Sequence, residues 1–171
     1  MRIAKCKLEA SSASAVAAPL LVLAMAVFLI ADEPAKDSAP PHETVVERGR
    51  VVWLAKAMEG KHGVTSVDEA KERVIALAAG GGRLLPLIED VRGRAFRKDD
   101  RLRKMDLELE ARRFRRSPFL QVIRTYEIKD GRKYELDYWC EICSIALYEL
   151  KPCDCCQGPL ELRRREVKIQ E

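Results

Sequence analysis

The chain has 171 residues, 31 basic and 27 acidic for a formal charge of +4, and 47% of it is apolar with 6% aromatic. Such a balance excludes extended disorder over most of the length, and the size allows one main domain with a small appendage. Arg2, Lys5 and Lys7 against Glu9 place about half of the net charge in the first 31 residues, so global attraction to polyanions is excluded and any such role must rest on local clusters.

Between Ala13 and Ala31 the chain carries no charge; basic residues precede this run, and Asp32 and Glu33 follow it. Positive charge on the short flank holds that flank in the cytoplasm, so the pattern predicts export of everything after it. The run just reaches the ~20 residues that span a hydrocarbon core, which fits a signal anchor, whereas Ala31 as a last residue before a cut fits a signal peptide. Both readings stay open. The expected location is the extracytoplasmic cell envelope, with the chain either anchored in the membrane through residues 13–31 or secreted to the periplasm. Residues 32–43 mix prolines with charges, lack an apolar period and read as a linker.

Residues 44–139 are expected to form the main domain, largely from strands. Residues 44–54 are rich in Val, with Gly49 placed for a bulge or sharp bend. A short helix is predicted at residues 67–73, where Ser66 and Glu69 have capping-box spacing. Residues 73–79 and 83–89 are apolar runs joined by Gly80-Gly81-Gly82, a hairpin signal, and Pro86 favours an edge position for the second run. A second short helix fits between Arg94 and Lys104. In residues 105–111, Met105, Leu107, Leu109 and Ala111 alternate with Asp106, Glu108 and Glu110, the pattern of a half-exposed strand. Residues 119–139 read as a hairpin turning at Lys129-Asp130-Gly131; a three-residue loop that pairs Tyr126 with Tyr134 is expected, because a two-residue loop sets Ile128 opposite Lys133.

The order strand, hairpin, helical connection and two further strands resembles an OB-fold over residues 44–128, which implies an all-β, small five-stranded barrel. The stretch from Gly49 to Gly60, together with Tyr138-Trp-Cys-Glu-Ile-Cys and Cys153-Asp-Cys-Cys-Gln-Gly-Pro, resembles small exported bacterial proteins of uncharacterised function, a likeness that implies export and fold but no activity.

Residues 140–171 form a Cys-rich module and tail, and they hold the strongest chemical signal. Cys140, Cys143, Cys153 and Cys156 read C-x2-C-x9-C-x2-C, with Cys155 a fifth thiol and alternative ligand. Thiolates three apart in a tight turn can face one ion, and two such turns can present four sulfurs in the tetrahedron zinc accepts. The module resembles a zinc ribbon, although the spacer is shorter than in most paired sites and Ser144 stands where glycine is common. Gly158 would let backbone N–H groups approach a ligand sulfur. Outside the cytoplasm the same thiols can instead form disulfides, or serve redox or soft-metal chemistry.

Between Val91 and Arg116 basic residues outnumber acidic ones, densest at Arg112, Arg113, Arg115 and Arg116 beside Phe114, a candidate anion-binding patch for an acidic envelope polymer or headgroup. The competing reading is a solvated strand end whose arginines are neutralised by Asp106, Glu108 and Glu110. His42 in the linker and His62 are the only candidates for proton transfer at neutral pH, and His62 reads as an ordinary loop residue. No catalytic residue and no organic cofactor is assigned. The sequence thus points to a binding or assembly protein of the envelope with a structural zinc site, its partners the membrane and an envelope protein or anionic polymer instead of DNA. The alternative is a thiol-based redox or copper-handling protein.

Overall fold

In the first strand, β1 (His42–Trp53), Val45 and Val51 share the face turned to the core while Val46 is exposed on the other, and two neighbours share its length. Its first part pairs antiparallel with β4 (Leu107–Phe114), from His42 opposite Phe114 to Gly49 opposite Leu107, and its last part pairs with β2 (Ile75–Ala79). β3 (Leu84–Pro86), β5 (Leu120–Lys129), β6 (Arg132–Cys140), β7 (Ile145–Leu147) and β8 (Glu161–Glu166) complete a mainly β structure, an open antiparallel sheet of eight strands in the order β3-β2-β1-β4-β5-β6-β7, with β8 on β6. This computed structural model describes residues 41–167, which belong to one compact unit. The apolar segment 13–31 and most of the linker lie outside the described residues. β1 begins at His42, two residues ahead of the expected start.

Gly49 sits in both ladders of β1 without a register shift, so it marks a close approach and no bulge. A Cβ at this position would lie 2.8 Å from the Ala78 carbonyl carbon and closer still to its oxygen. The three glycines after β2 close the expected hairpin, Gly81 and Gly82 at positive φ, and Pro86 lies on the outermost strand of the order. Beyond β3, Leu87 makes an isolated parallel bridge to Leu120, and the Ile88 N–H donates to the Leu120 carbonyl at 2.8 Å.

The helices differ from expectation. α1 (Leu54–His62) follows β1 directly and ends at Gly63, whose left-handed φ of 66° and N–H to the Glu59 carbonyl terminate it. The helix predicted at 67–73 is a single 3-10 turn, Asp68–Ala70, and neither Ser66 nor any other side chain caps it. Val64 and Val67 are exposed, so the segment has no apolar stripe to bury and helix formation does not propagate. Between Arg94 and Lys104 stand α2 (Ala95–Lys98) and α3 (Asp100–Arg103); Asp99 caps α3 by accepting the Arg101 N–H at 3.0 Å.

The β5–β6 hairpin also corrects its prediction. Lys129 pairs with Arg132 and Tyr126 with Glu135, a two-residue loop in which Asp130 (φ 51°) and Gly131 (φ 75°) are both left-handed. That conformation matches the twist of the flanking strands. The mixed pairs it creates are resolved by diagonal neighbours. Lys133, opposite Ile128, lies 3.9 Å from the Tyr126 ring centroid and ion-pairs with Glu108, and Glu127, opposite Tyr134, takes Arg164 of β8.

Further along, β5 and β6 part. The β4–β5 register slips between Glu110 and Ala111, leaving Ile123 as the extra residue of a bulge. The β5–β6 ladder stops at Tyr126 and Glu135, and the same β6 edge acquires β7 only from Tyr138. On its other edge β6 pairs with β8 from Tyr134 to Trp139. The core, with Ile75, Leu77, Phe96, Leu107, Leu109 and Leu120 fully enclosed, runs without a break into Cys140 and Cys153. The cysteine segment is therefore built onto the main core. Glu108, expected on a solvent face, is 4% exposed and takes Arg48 and Lys133.

Candidate metal centre

Cys140 ends β6 and Cys143 lies in the tight turn that leads into β7; Cys153 and Cys156 lie in a second turn before β8. The two turns have the same hydrogen bonds. Ser144 N–H donates to the Cys140 carbonyl at 2.8 Å, and Gln157 N–H to the Cys153 carbonyl at 3.0 Å. Ser144 (φ 53°) and Gln157 (φ 58°) are both left-handed, each directly after the second cysteine of its pair. Cys140 then pairs with Ile145, and the Cys153 N–H donates to the Gly158 carbonyl at 2.9 Å. A serine thus adopts the conformation for which glycine is the common choice, at the strain cost that a left-handed non-glycine residue carries.

The turns bring four sulfurs together. The Sγ atoms of Cys140, Cys143, Cys153 and Cys156 all lie within 4.8 Å of one another, and Cys140 and Cys156 are 3.5 Å apart. With Zn–S bonds of ~2.3 Å, the edge of a sulfur tetrahedron is about 3.8 Å, so the four atoms span the size of one ion's ligand shell. Cys140 and Cys153 are buried and Cys143 and Cys156 partly so, all as free thiols. The Gly158 N–H points at Cys156 Sγ from 3.4 Å, and a Cβ on Gly158 would come within 3.0 Å of Ile142 and 3.2 Å of that sulfur. The expected service of Gly158 is thereby in place.

Electrostatics within the cluster is uneven. Backbone N–H groups of Cys156 and Cys155 hold the Cys153 thiol down to about 7. Neighbouring sulfurs, first that of Cys155 and then that of Cys156, push the Cys143 thiol up, and burial adds to this. At Cys140 the N–H of Cys143 pulls downward, yet burial and the thiols of Cys156 and Cys153 leave it raised. Four thiolates this close repel one another unless a cation neutralises them, while the N–H donors around the first cysteine of each turn already favour negative charge. The set can therefore hold a metal ion. Cys155 is exposed and outside the foursome, although its side chain reaches Cys143.

The arginine patch is dispersed. Arg112 and Arg113 are successive residues of a strand and so point to opposite faces. Arg112 donates to Gln121 at 3.3 Å; Arg113 ion-pairs with Glu47 and, at 3.4 Å, with Glu43. Arg113, Arg115 and Arg116 border a hollow with His42, Phe114 and Ser117. The acidic residues expected to neutralise this run serve other strands: Asp106 takes Arg50 at 2.6 Å, Glu108 takes Arg48 at 2.6 Å, and Glu110 lies 3.9 Å from Arg124. His42 is in β1, its ring 5.7 Å from that of Phe114, and His62 is exposed in the last turn of α1.

Sequence reasoning missed that Ser144 and Gln157 occupy equivalent left-handed positions in the two turns. The signal was available as a polar residue after each C-x2-C. No protein-family model, no curated protein and no solved structure matches the chain.

Proposed function

We propose that this chain is a binding or assembly protein of the cell envelope, exported or membrane-tethered, with a structural zinc ion held by Cys140, Cys143, Cys153 and Cys156. One observation carries the reading: two turns with matching hydrogen bonds converge four sulfurs to within 4.8 Å. Zinc suits an all-sulfur tetrahedron without an open position, the form of structural sites. Such an ion would tie the end of β6 to the segment that leads into β8 and add folding free energy to the core that already reaches Cys140 and Cys153. Export rests on the charge-flanked apolar run at residues 13–31.

The barrel half of the reading is OB-like. β1 pairs with both β2 and β4, β2 with β3 and β4 with β5, helices separate β3 from β4, and the Leu87–Leu120 bridge joins the far ends in parallel. These features favour a small five-stranded barrel with β6, β7 and β8 added. Folds of this kind host many ligands, so the partner, an envelope protein or anionic polymer, is proposed from location and from the arginines around the Arg113–Arg116 hollow.

A second reading, thiol redox or soft-metal handling, draws on Cys155, an exposed thiol against the cluster. The test is elemental analysis and thiol counting on the full chain, before and after a strong chelator, with Cys153→Ser and Cys155→Ser. The proposal expects about one zinc per chain, lost in Cys153→Ser and kept in Cys155→Ser, with thermal stability falling on chelation. Copper or iron, or metal lost with Cys155, would put the second reading first. A metal-free chain with few free thiols would overturn both in favour of disulfides.

A further inference from the structure

Where β5 and β6 part, a slot opens that neither strand's ladder fills. Leu136 and Asp137 lie after the last β5 partner on β6 and before the first β7 partner. The bulge at Ile123 turns β5 away on the facing side. The resulting cavity has a volume of about 240 Å³ and includes Ala95, Leu102, Leu136, Tyr138 and Leu162 in its lining, with Arg92 and Tyr148 beside them. A cavity of ~150 Å³ takes benzene, so this volume is enough for a substituted ring, in a lining that mixes these apolar side chains with Arg124, Glu135 and Asp137.

Charge inside the slot is compensated except at one residue. Asp137 receives Arg163 through two bonds of 2.8 Å, and Glu135 receives Arg165 at 2.9 Å. Arg124 has Glu110 at 3.9 Å. Arg92 has no carboxylate partner among the described residues, and its Nε is a buried donor with no acceptor. That nitrogen is enclosed and not open to the slot, but Arg92 is among the lining residues, and a cation without a carboxylate partner is suited to a ligand that supplies one.

Arg92 is also held in place. Asp90 Oδ1 accepts the N–H groups of Arg92 (3.1 Å) and Gly93 (3.0 Å), and Asp90 Oδ2 accepts the Gln121 side-chain amide at 2.9 Å. Gly93 packs so tightly against the Ile88 carbonyl that a Cβ would overlap it. The guanidinium itself lies 3.8 Å above the Tyr148 ring centroid. A planar cation without a carboxylate partner, beside a slot of mixed lining in which Leu102, Leu136 and Leu162 supply the apolar part, is an arrangement that can recognise a flat anion with an apolar body.

We propose that the slot between β5 and β6 binds a small planar carboxylate, its apolar ring among Leu102, Leu136 and Leu162 and its carboxylate on Arg92. This site is separate from the sulfur cluster and does not depend on the zinc reading. The experiment is titration of the full chain with benzoate, and with neutral benzyl alcohol as a control, followed by amide chemical shifts and repeated on Arg92→Met and Arg92→Lys. Saturable shifts at Ile123, Thr125 and Leu136 are expected. Affinity should fall at least tenfold in Arg92→Met and be partly retained in Arg92→Lys, and benzyl alcohol should bind at least tenfold more weakly than benzoate in the native chain. An absence of saturable shifts, equal binding of the two probes, or Arg92→Met binding as well as the native chain would overturn the proposal. Unchanged amide positions outside the slot identify a folded Arg92→Met, and if that variant fails to fold the comparison of benzoate with benzyl alcohol still decides.

Discussion

Replacing Tyr138 by Phe deletes one hydroxyl, 2.9 Å from Asp99 Oδ2, in a place where both residues are almost entirely buried. The bond joins β6 to the cap of α3. A hydrogen bond to a charged acceptor contributes about 1.5–3 kcal/mol. Asp99 retains the Arg101 guanidinium at 2.6 Å and the Arg101 N–H at 3.0 Å, so its carboxylate is not orphaned and the loss should be about 2 kcal/mol. At a few degrees per kcal/mol, this corresponds to a fall in Tm of roughly 6–10 °C for a domain of this size. Urea unfolding followed by circular dichroism should show a lower midpoint with an unchanged slope. In a double-mutant cycle with Asp99→Asn, a coupling of about 1 kcal/mol or more is expected. A Tyr138→Phe variant within ~0.5 kcal/mol of the native chain, or strictly additive with Asp99→Asn, would refute this account of the junction.

Gly49→Ala should destabilise by about 1–3 kcal/mol, because its methyl would meet the Ala78 carbonyl, whereas Gly80→Ala, with open space around its position, should stay within ~0.5 kcal/mol; thermal melts of the pair separate steric demand from chain entropy. Acid should unfold the chain through Glu47, Asp99 and Glu108. The hydrogen bond from Arg83 is the main cause of the lowered pKa of Glu47; at Asp99 and Glu108 burial pushes upward, and bonds from Arg101 and Tyr138, or from Lys133 and Arg48, outweigh it. Since the folded values lie below the unfolded ones of ~4, their stabilisation is complete above that pH and is lost as pH falls through the folded values. Urea midpoints should decline as pH falls below about 4.5. Glu108→Gln should lower the midpoint at neutral pH and shallow the decline, and an unchanged slope would show that Glu108 does not contribute.

Much of this structure could be read from the chain alone, and the failures have local causes. Alternation at Leu107, Leu109 and Ala111 identified the core face of β4 because burial imposes a period of two on a strand. The four cysteines were legible because metal-type turns constrain both residue type and spacing. α1 was not, since it lacks an acidic first turn and a side-chain cap and buries no residue, though Gly63 and the basic Lys61 marked its end. The hairpin register failed because the pairing was judged only directly across the strands; Lys133 finds Tyr126 and Glu108 diagonally, and Glu127 finds Arg164 on a strand far along the chain. The slot at Arg92 depends on two strands ceasing to pair, which no local pattern encodes.

The last strand is Glu161-Leu-Arg-Arg-Arg-Glu, with Leu162 its single apolar residue, laid along β6 where Asp137, Glu127 and Glu135 receive Arg163, Arg164 and Arg165. Leu162 packs against the core but is the strand's one apolar side chain, so the arginine pairs to Asp137, Glu127 and Glu135 add to what holds so polar a strand in register. Asp137 and Glu127 are buried, so salt screens their pairs less than the more exposed Arg165–Glu135 pair. Losing those buried charges, more than screening them, would loosen the strand from its ladder on β6, and an uncovered edge is a template on which a second copy can add its own strand.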